Sequence, residues 1–128
     1  MRARSRHEYL TRFTASHADT PAELQRALSG AFVESTPSEV DRAIGLVHGL
    51  QGTAAMLGLQ AIHELGFALE QTLVSHREAF GAISAETRLA VLASVGMLDA
   101  LIADATQVAV DEPLPPATAE LVSRLGRG

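Results

Sequence analysis

Apolar residues recur along this chain at spacings of three and four, the period of one face of an α-helix. The longest such series begins after Thr36-Pro37 and comprises Val40, Ile44, Val47, Leu50, Ala54 and Leu57. A second series runs from Leu59 to about Ser75. Gly58 lies between the two series and predicts the end of the first helix, since glycine commonly follows a helix C-terminus.

Start signals predict where other helices begin. Asp19-Thr20-Pro21 places a capping side chain before a proline, and the helix that it opens carries Leu24, Ala27, Leu28, Ala31 and Phe32. Thr36 is followed three residues later by Glu39, as in a capping box. Ser84 is predicted to cap a further long helix, whose apolar residues are Leu89, Leu92, Val95, Leu98, Leu101 and Ile102.

Short amphipathic stretches flank these four helices, at residues 5–16 and after Pro116. Aromatic residues make up only 4% of the 128 residues, and strong helix formers dominate the composition. We therefore predict an all-α fold, an antiparallel four-helix bundle with short additional terminal helices. The chain, 1–128, is predicted to be a single domain with its core bundle at about 20–110.

Charge and composition argue against several classes of function. A formal net charge of -5 disfavours a nucleic-acid partner, because phosphate backbones require a basic surface. No apolar run has membrane-spanning length, and none follows the arginine-rich start as in a signal peptide, so we expect a cytoplasmic protein without membrane insertion. With no cysteine and no His-Glu-x-x-His motif, no metal site is expected. The absence of a glycine-rich phosphate loop predicts no autonomous kinase activity.

His48 is the candidate reactive residue. It follows the core residue Val47 and is rotated by about 100° around the helix, so its imidazole is expected at the edge of the buried face. Its helical neighbours are Gly45, Gly49 and Gly52. Each glycine inside a helix costs about 0.5–1 kcal/mol relative to alanine, which suggests that a partner must approach closely here. A neutral imidazole nitrogen is nucleophilic near neutral pH and can accept a phosphoryl group.

Glu70 is the candidate that would orient this imidazole. If the chain reverses at Gly58, His48 lies ten residues before the turn and Glu70 lies twelve after it. At about 1.5 Å per residue, antiparallel helices would place the two at similar distances from the turn. A carboxylate that accepts from one ring nitrogen would leave the other as the nucleophile. A solvated surface carboxylate is the alternative interpretation.

This region resembles the histidine-containing phosphotransfer (HPt) domain family. The family pattern is His-x-Leu-Lys-Gly, then small residues and Leu-Gly, and the chain matches it at His48, Leu50, Gly52, Thr53-Ala54-Ala55 and Leu57-Gly58. The Leu69-Glu70 pair resembles the Leu-Glu of the next helix in the family. The resemblance in sequence extends over roughly Val40 to Glu70. The flanking segments resemble the family only in that they are predicted to be helices.

The resemblance implies a phosphoryl carrier in a two-component phosphorelay. Its partners would be response-regulator receiver domains, a sensor histidine kinase, or both, and the phosphotransfer domain of chemotaxis kinases is a related possibility. The chain would need no cofactor of its own, since Mg²⁺ would be supplied by the receiver domain. His48 would be the phosphorylated nucleophile, Gln51, Gly52 and Glu70 would support it, and the docking surface would comprise Gly45, Gly49 and Ala55 together with Gln51 and Gly52.

Gln51 departs from the family pattern, which has lysine at this position. Glutamine can donate a hydrogen bond but brings no charge, so we expect weaker stabilisation of the phosphorylated form. A degenerate domain that binds a receiver or kinase without phosphotransfer therefore stays open, as does a structural bundle in which His48 is incidental. Met1 favours a free-standing protein over a segment of a larger kinase, and both remain open.

Other residues receive ordinary structural interpretations. His63 and His76 are expected on the surface, and Gly66 and Gly96 are expected to permit close helix packing.

Overall fold

A computed structural model describes residues 3–34 and 36–127 of the chain. These residues form six α-helices: α1 (Ala3–His17), α2 (Thr20–Glu34), α3 (Pro37–Met56), α4 (Gln60–Ser75), α5 (Ala85–Ala103) and α6 (Pro116–Arg127). Two 3₁₀ segments, Arg77–Ala82 and Ala105–Gln107, lie before and after α5. The described residues contain no strand, and the predicted all-α class is confirmed.

Helices α2 to α5 form the four-helix bundle, and α3 and α4 make its most extensive contact. Helix α2 packs on α3 and α5, while α4 packs on α5. Helix α6 covers α4 and α5, and α1 contacts α5 and the Ala105–Gln107 segment. No helix in the described part of the chain combines the length and the apolar character that crossing a bilayer requires.

The hydrophobic core draws on all six helices. Its largest fully buried side chains are Phe80, Leu10, Leu24, Leu28, Leu50, Leu59, Leu65, Leu69, Leu73, Leu98, Val40 and Val47. Full burial of each such side chain contributes about 1.5–3 kcal/mol. Leu10 and Phe13 of α1 and Leu121 and Leu125 of α6 are also buried. Side chains on both sides of the 20–110 segment therefore belong to the core.

Of the two helix caps predicted at Ser84 and Thr36, the first is confirmed and the second is wrong. Ser84 caps α5 as predicted, because its Oγ accepts a hydrogen bond from the Thr87 backbone N–H at 3.1 Å. Thr36 is the residue before α3, but the predicted capping box is wrong. The Thr36 Oγ1 atom is buried and has no hydrogen-bond partner within the described residues, and the helix begins on Pro37 instead.

The predicted apolar face of α5 is partly wrong. Leu89 and Leu92 are 60% and 39% exposed, whereas Ser94 is fully buried. Ser94 can be buried because its hydroxyl donates to the Ala90 carbonyl one turn earlier, at 2.6 Å. Apolar residues surround α5 on nearly every side, so their spacing could not identify the face that packs against the bundle.

The α3–α4 turn is built on Gly58, as predicted. Gly58 adopts a left-handed backbone with φ of 71°. The Leu59 N–H donates to the Ala54 carbonyl at 2.9 Å, and the Gly58 N–H donates to the Ala55 carbonyl at 3.3 Å. These two bonds form a Schellman motif, which satisfies carbonyls at the end of α3 and reverses the chain.

Arg6 ties α1 to this turn. Its guanidinium donates to the Leu57 carbonyl from Nη2 at 3.0 Å and to the Val108 carbonyl from Nη1 at 2.8 Å. A cation at the C-terminus of α3 also interacts favourably with the helix dipole. The end of α3 is therefore held by its own capping motif and by a side chain from the first helix.

Replacing Gly58 by alanine is expected to destabilise the fold by about 1–2 kcal/mol, because a side chain disfavours the left-handed backbone. The added Cβ would also lie only 3.0 Å from Val110 Cγ1. The measurement is the free energy of unfolding in urea. Gly96→Ala is the matched control, because a Cβ there meets nothing within 4 Å and alanine favours the helix. Equal effects of the two substitutions would contradict this account of the turn.

Candidate functional site

His48 projects from α3 into solvent. Its side chain is 70% exposed, although the adjacent core residues Val47 and Leu50 are fully buried. The exposed imidazole therefore rests on a helix that the core holds from the other side. This is the edge position that the helical pattern predicted.

The structure brings Glu70 of α4 against the His48 ring. His48 Nδ1 lies 3.1 Å from Glu70 Oε2 and 3.3 Å from Glu70 Oε1. An ionised carboxylate only accepts hydrogen bonds, so Nδ1 carries the proton and donates it. In the neutral ring the other nitrogen, Nε2, then has the free lone pair. The Glu70 side chain is only 15% exposed, which limits its freedom to turn away.

Gln51 lies beneath this pair and not on the surface. It is only 8% exposed, and its Nε2 donates to Glu70 Oε1 at 3.1 Å. The expectation that Gln51 contributes to a docking surface is therefore wrong. Three residues rotate by about 300° around the helix, so Gln51 lies about 60° from His48 on the side of the buried Val47, where it faces Gly66 of α4.

His63 completes the polar group at the interface. Its Nδ1 lies 2.9 Å from Gln51 Oε1, and the residue is half-buried, so it has a partner within the fold that the sequence did not predict. His63 does not belong to the family pattern around His48, so no motif identified it as a site residue. The available signal was its spacing from Gly66 and Glu70, three and seven residues later, which puts all three on one face of α4. His76 is half-buried at the C-cap of α4.

The glycines around His48 border open space. A Cβ added at Gly45, Gly49 or Gly52 would meet nothing within 4 Å. Gly45, Gly49 and Ala55 are exposed, and Gly52 is half-buried. Packing among the described residues therefore gives no reason for glycine at these three positions, although each weakens the helix.

Gly66 has the packing role that the sequence predicted. A Cβ there would lie 2.7 Å from Gln51 Cβ, an atom so near the backbone that the helices themselves would have to separate. The same prediction for Gly96 is wrong, because a Cβ at Gly96 meets nothing within 4 Å.

Two exposed residues that line a groove near this surface were not identified as part of the site from the sequence. Met56 is 84% exposed on α3, and Tyr9 of α1 is 48% exposed. Both line a groove of about 300 Å³ between α1 and α3, together with Arg12, Phe13, Ser16, His17, Thr53 and Leu57. Met56 lies one turn beyond Gly52, so the groove continues the open surface of the glycines.

Across residues 3–34 and 36–127, no three His, Asp or Glu side chains are grouped so that they could hold a metal ion. The site thus consists of a single exposed imidazole, the carboxylate that contacts it, and the amide and imidazole beneath that carboxylate.

A comparison with models of known protein families identifies the family of this chain. The Hpt domain family model matches residues 8–109, which include helices α2 to α5, most of α1 and every residue of the site. A search of the curated proteins and a search of the solved structures each found no match. The chain belongs to the Hpt family, whose members act in two-component signalling as histidine phosphotransfer domains, in phosphorelays with receiver domains and kinases.

Replacing Gly66 by alanine is expected to destabilise the fold by about 1–2 kcal/mol, since overpacking at the α3–α4 contact outweighs the gain in helix propensity. Gly52→Ala, with open space at its Cβ, is expected to stabilise it by about 0.5–1 kcal/mol. Urea unfolding of both variants measures the difference. A stabilised Gly66→Ala protein would show that the helices do not need to be this close.

Proposed function

We propose that this protein carries a phosphoryl group on His48 Nε2, between a sensor kinase or receiver domain and the aspartate of a response regulator. The observation that carries the proposal is the contact of His48 Nδ1 with Glu70 on a ring that is otherwise exposed. This contact turns Nε2 outward with its lone pair available. Family membership supports the class of reaction, and the geometry supports the residue.

The chemistry needs only this oriented ring. Nε2 attacks the phosphorus of a phosphoaspartate, the N–P bond forms, and the P–O bond to the aspartate breaks, so that the aspartate leaves as a carboxylate. The ring keeps its Nδ1 proton throughout and becomes positively charged when Nε2 is phosphorylated. Glu70 can stabilise that charge through the hydrogen bond it already accepts. The reverse reaction passes the group to an aspartate on a second receiver.

The partner must neutralise the negative charge of the phosphoryl group during transfer. Phosphoryl transfer depends mainly on positioning and electrostatic stabilisation, and Mg²⁺ is a common source of the latter. We propose that the receiver domain supplies this Mg²⁺ and that the chain holds no cofactor of its own. Gln51 brings no charge, and both ends of its amide are already hydrogen-bonded.

A docking face surrounds the histidine, which we define as Gly45, Gly49, Gly52, Ala55 and Met56. The three glycines give a partner backbone room to approach His48. Met56 offers a flexible apolar contact beside the groove, of a kind suited to partners that bind transiently. The receiver would cover the imidazole and exclude water during transfer.

The two other functions left open by the sequence receive less support. A domain that docks without phosphotransfer was suggested only by Gln51 in place of lysine. Because Gln51 donates to Glu70, the substitution is consistent with an oriented His48. A purely structural bundle gives no reason for open space at three glycines around one exposed histidine.

The direct test is transfer from a panel of phosphorylated receiver domains and kinases, followed as acid-labile, base-stable label on this protein. The intact chain is expected to take up label, and His48→Gln is expected to take up none, because its amide nitrogen is not nucleophilic. His7→Gln, at an exposed histidine of α1, is the matched control and is expected to label normally. If a panel that labels a known Hpt protein leaves this chain unlabelled, the carrier function is excluded.

The docking face is tested separately by Met56→Glu. A charge at this exposed position is expected to weaken receiver binding about tenfold, or about 1.4 kcal/mol, without lowering fold stability. Val33→Glu is the control, since Val33 is 82% exposed at the end of α2, beside the start of α3, whereas Met56 is the last residue of α3. Titration with a fluorescent receiver measures both. Equal weakening by the two variants would argue against a local contact at Met56.

A further inference from the structure

The outward side of α5 is apolar and yet exposed. Leu89 and Leu92 are 60% and 39% exposed there, and the residues that continue the surface are small. These positions follow one another at spacings of three and four, which places them on one side of the helix. We define the α5 face as Ala85, Leu89, Leu92, Gly96, Ala100 and Ala103, all of which are exposed. Neither the core nor the proposed phosphoryl carrier chemistry uses this face.

Side-chain size is distributed unevenly along the α5 face. Both leucines lie in its first half, whereas Gly96, Ala100 and Ala103 make up the second half. A Cβ at Gly96 would meet nothing within 4 Å, so packing among the described residues gives no reason for a glycine that weakens the helix. The face therefore has a raised half followed by a recessed half.

A second copy of the α5 face, turned antiparallel, fits this shape. With the two-fold axis level with residue 94, Leu92 of one copy lies opposite Gly96 of the other, and Leu89 lies opposite Ala100. The leucines then fill the recesses that the small residues leave, and the same surface serves both copies, as a two-fold interface requires. A parallel pairing would place leucine against leucine and leave a gap between the two copies of Gly96.

Charge favours the same arrangement. Arg88 and Asp99 are exposed and eleven residues apart, about three helical turns, so they lie on the same flank of the α5 face. Among the described residues no carboxylate pairs with Arg88, and no cation pairs with Asp99. The antiparallel register above brings Arg88 of each copy beside Asp99 of the other, to within about one residue. The two copies would thus form two symmetry-related ion pairs.

Arg88 is already positioned for this contact. Its guanidinium lies over the Phe32 ring of α2, with Cζ 4.3 Å from the ring centroid. A guanidinium stacked on an aromatic ring keeps the N–H groups of its edge available to a carboxylate. The stacking also restricts the side chain in advance, so less conformational entropy is lost when the ion pair forms.

We propose that the protein forms an antiparallel homodimer through the α5 face, with its register set by Arg88–Asp99 pairs between the copies. Helices α3 and α5 each pack on α2 and α4, so they occupy opposite corners of the bundle. Dimerisation through α5 therefore leaves both His48 side chains exposed on the outer sides of the pair. The proposal does not rest on phosphoryl transfer, because the oligomeric state is measured without it.

Sedimentation equilibrium of the full chain from about 1 μM to about 1 mM measures self-association. The apparent mass is expected to rise from the 13.5 kDa of the monomer toward twice that value, with a dissociation constant on the order of 10–100 μM, as for a small interface. Leu92→Glu is expected to leave a monomer, because it buries an unpaired charge at the centre of the contact. Val74→Glu, at a 51% exposed apolar position of α4, is the matched control and is expected to dimerise normally.

Two charge reversals test the register. Arg88→Glu brings two carboxylates together at each ion pair, and Asp99→Arg brings two guanidinium groups together, so each variant alone is expected to dimerise about tenfold more weakly. A mixture of the two variants has opposite charges at both pairs and is expected to form a heterodimer about as tightly as the intact chain dimerises. A fluorescent label on the Arg88→Glu protein reports it. Arg42→Glu on α3 changes the net charge equally and is expected to dimerise normally.

An intact chain that stays monomeric at about 1 mM overturns the proposal, and the α5 face then serves a partner of another kind. Dimerisation that survives Leu92→Glu overturns it as well, because the copies would meet through another surface. A mixture of the two charge reversals that associates no better than either variant alone contradicts the antiparallel register.

Discussion

Glu70 reaches His48 because the backbones of α3 and α4 approach each other closely at Gly66. A side chain at Gly66 would collide with Gln51 Cβ at 2.7 Å, and separating the helices would draw the carboxylate away from the imidazole. The register of the two helices depends in turn on the Gly58 turn, whose left-handed residue sets where α4 begins. One tight turn and one small residue therefore determine the geometry of the whole site.

Helix α3 serves both the core and the site. Its inner face buries Val40, Val47 and Leu50, which anchors the helix, while its outer face gives up helix propensity at three glycines with no compensating contact in the described chain. Those glycines cost about 2 kcal/mol together, roughly what burial of one core leucine returns. Packing of the inner face therefore offsets the helix propensity that the outer face lacks.

Local patterns predicted most of the fold and the main chemical feature of the site. Gly58, Ser84 and the apolar series of α3 and α4 act through nearby backbone and helix period, so the sequence alone indicates them. The exposed side of α5 was missed because its residues are apolar almost all round. The burial of Gln51 and its contact with His63 were missed for another reason: whether a polar side chain turns inward depends on the partners that a second helix presents, and single-helix periodicity carries no information about them.

The central claim is that this fold presents Nε2 of His48, and not Nδ1, for phosphorylation. The most direct measurement is nitrogen and phosphorus NMR of the protein after it has been phosphorylated by a receiver domain. The account predicts one phosphohistidine, at residue 48, with coupling between phosphorus and Nε2 and a proton retained on Nδ1. Phosphorus bonded to Nδ1, or to any histidine other than His48, would contradict it.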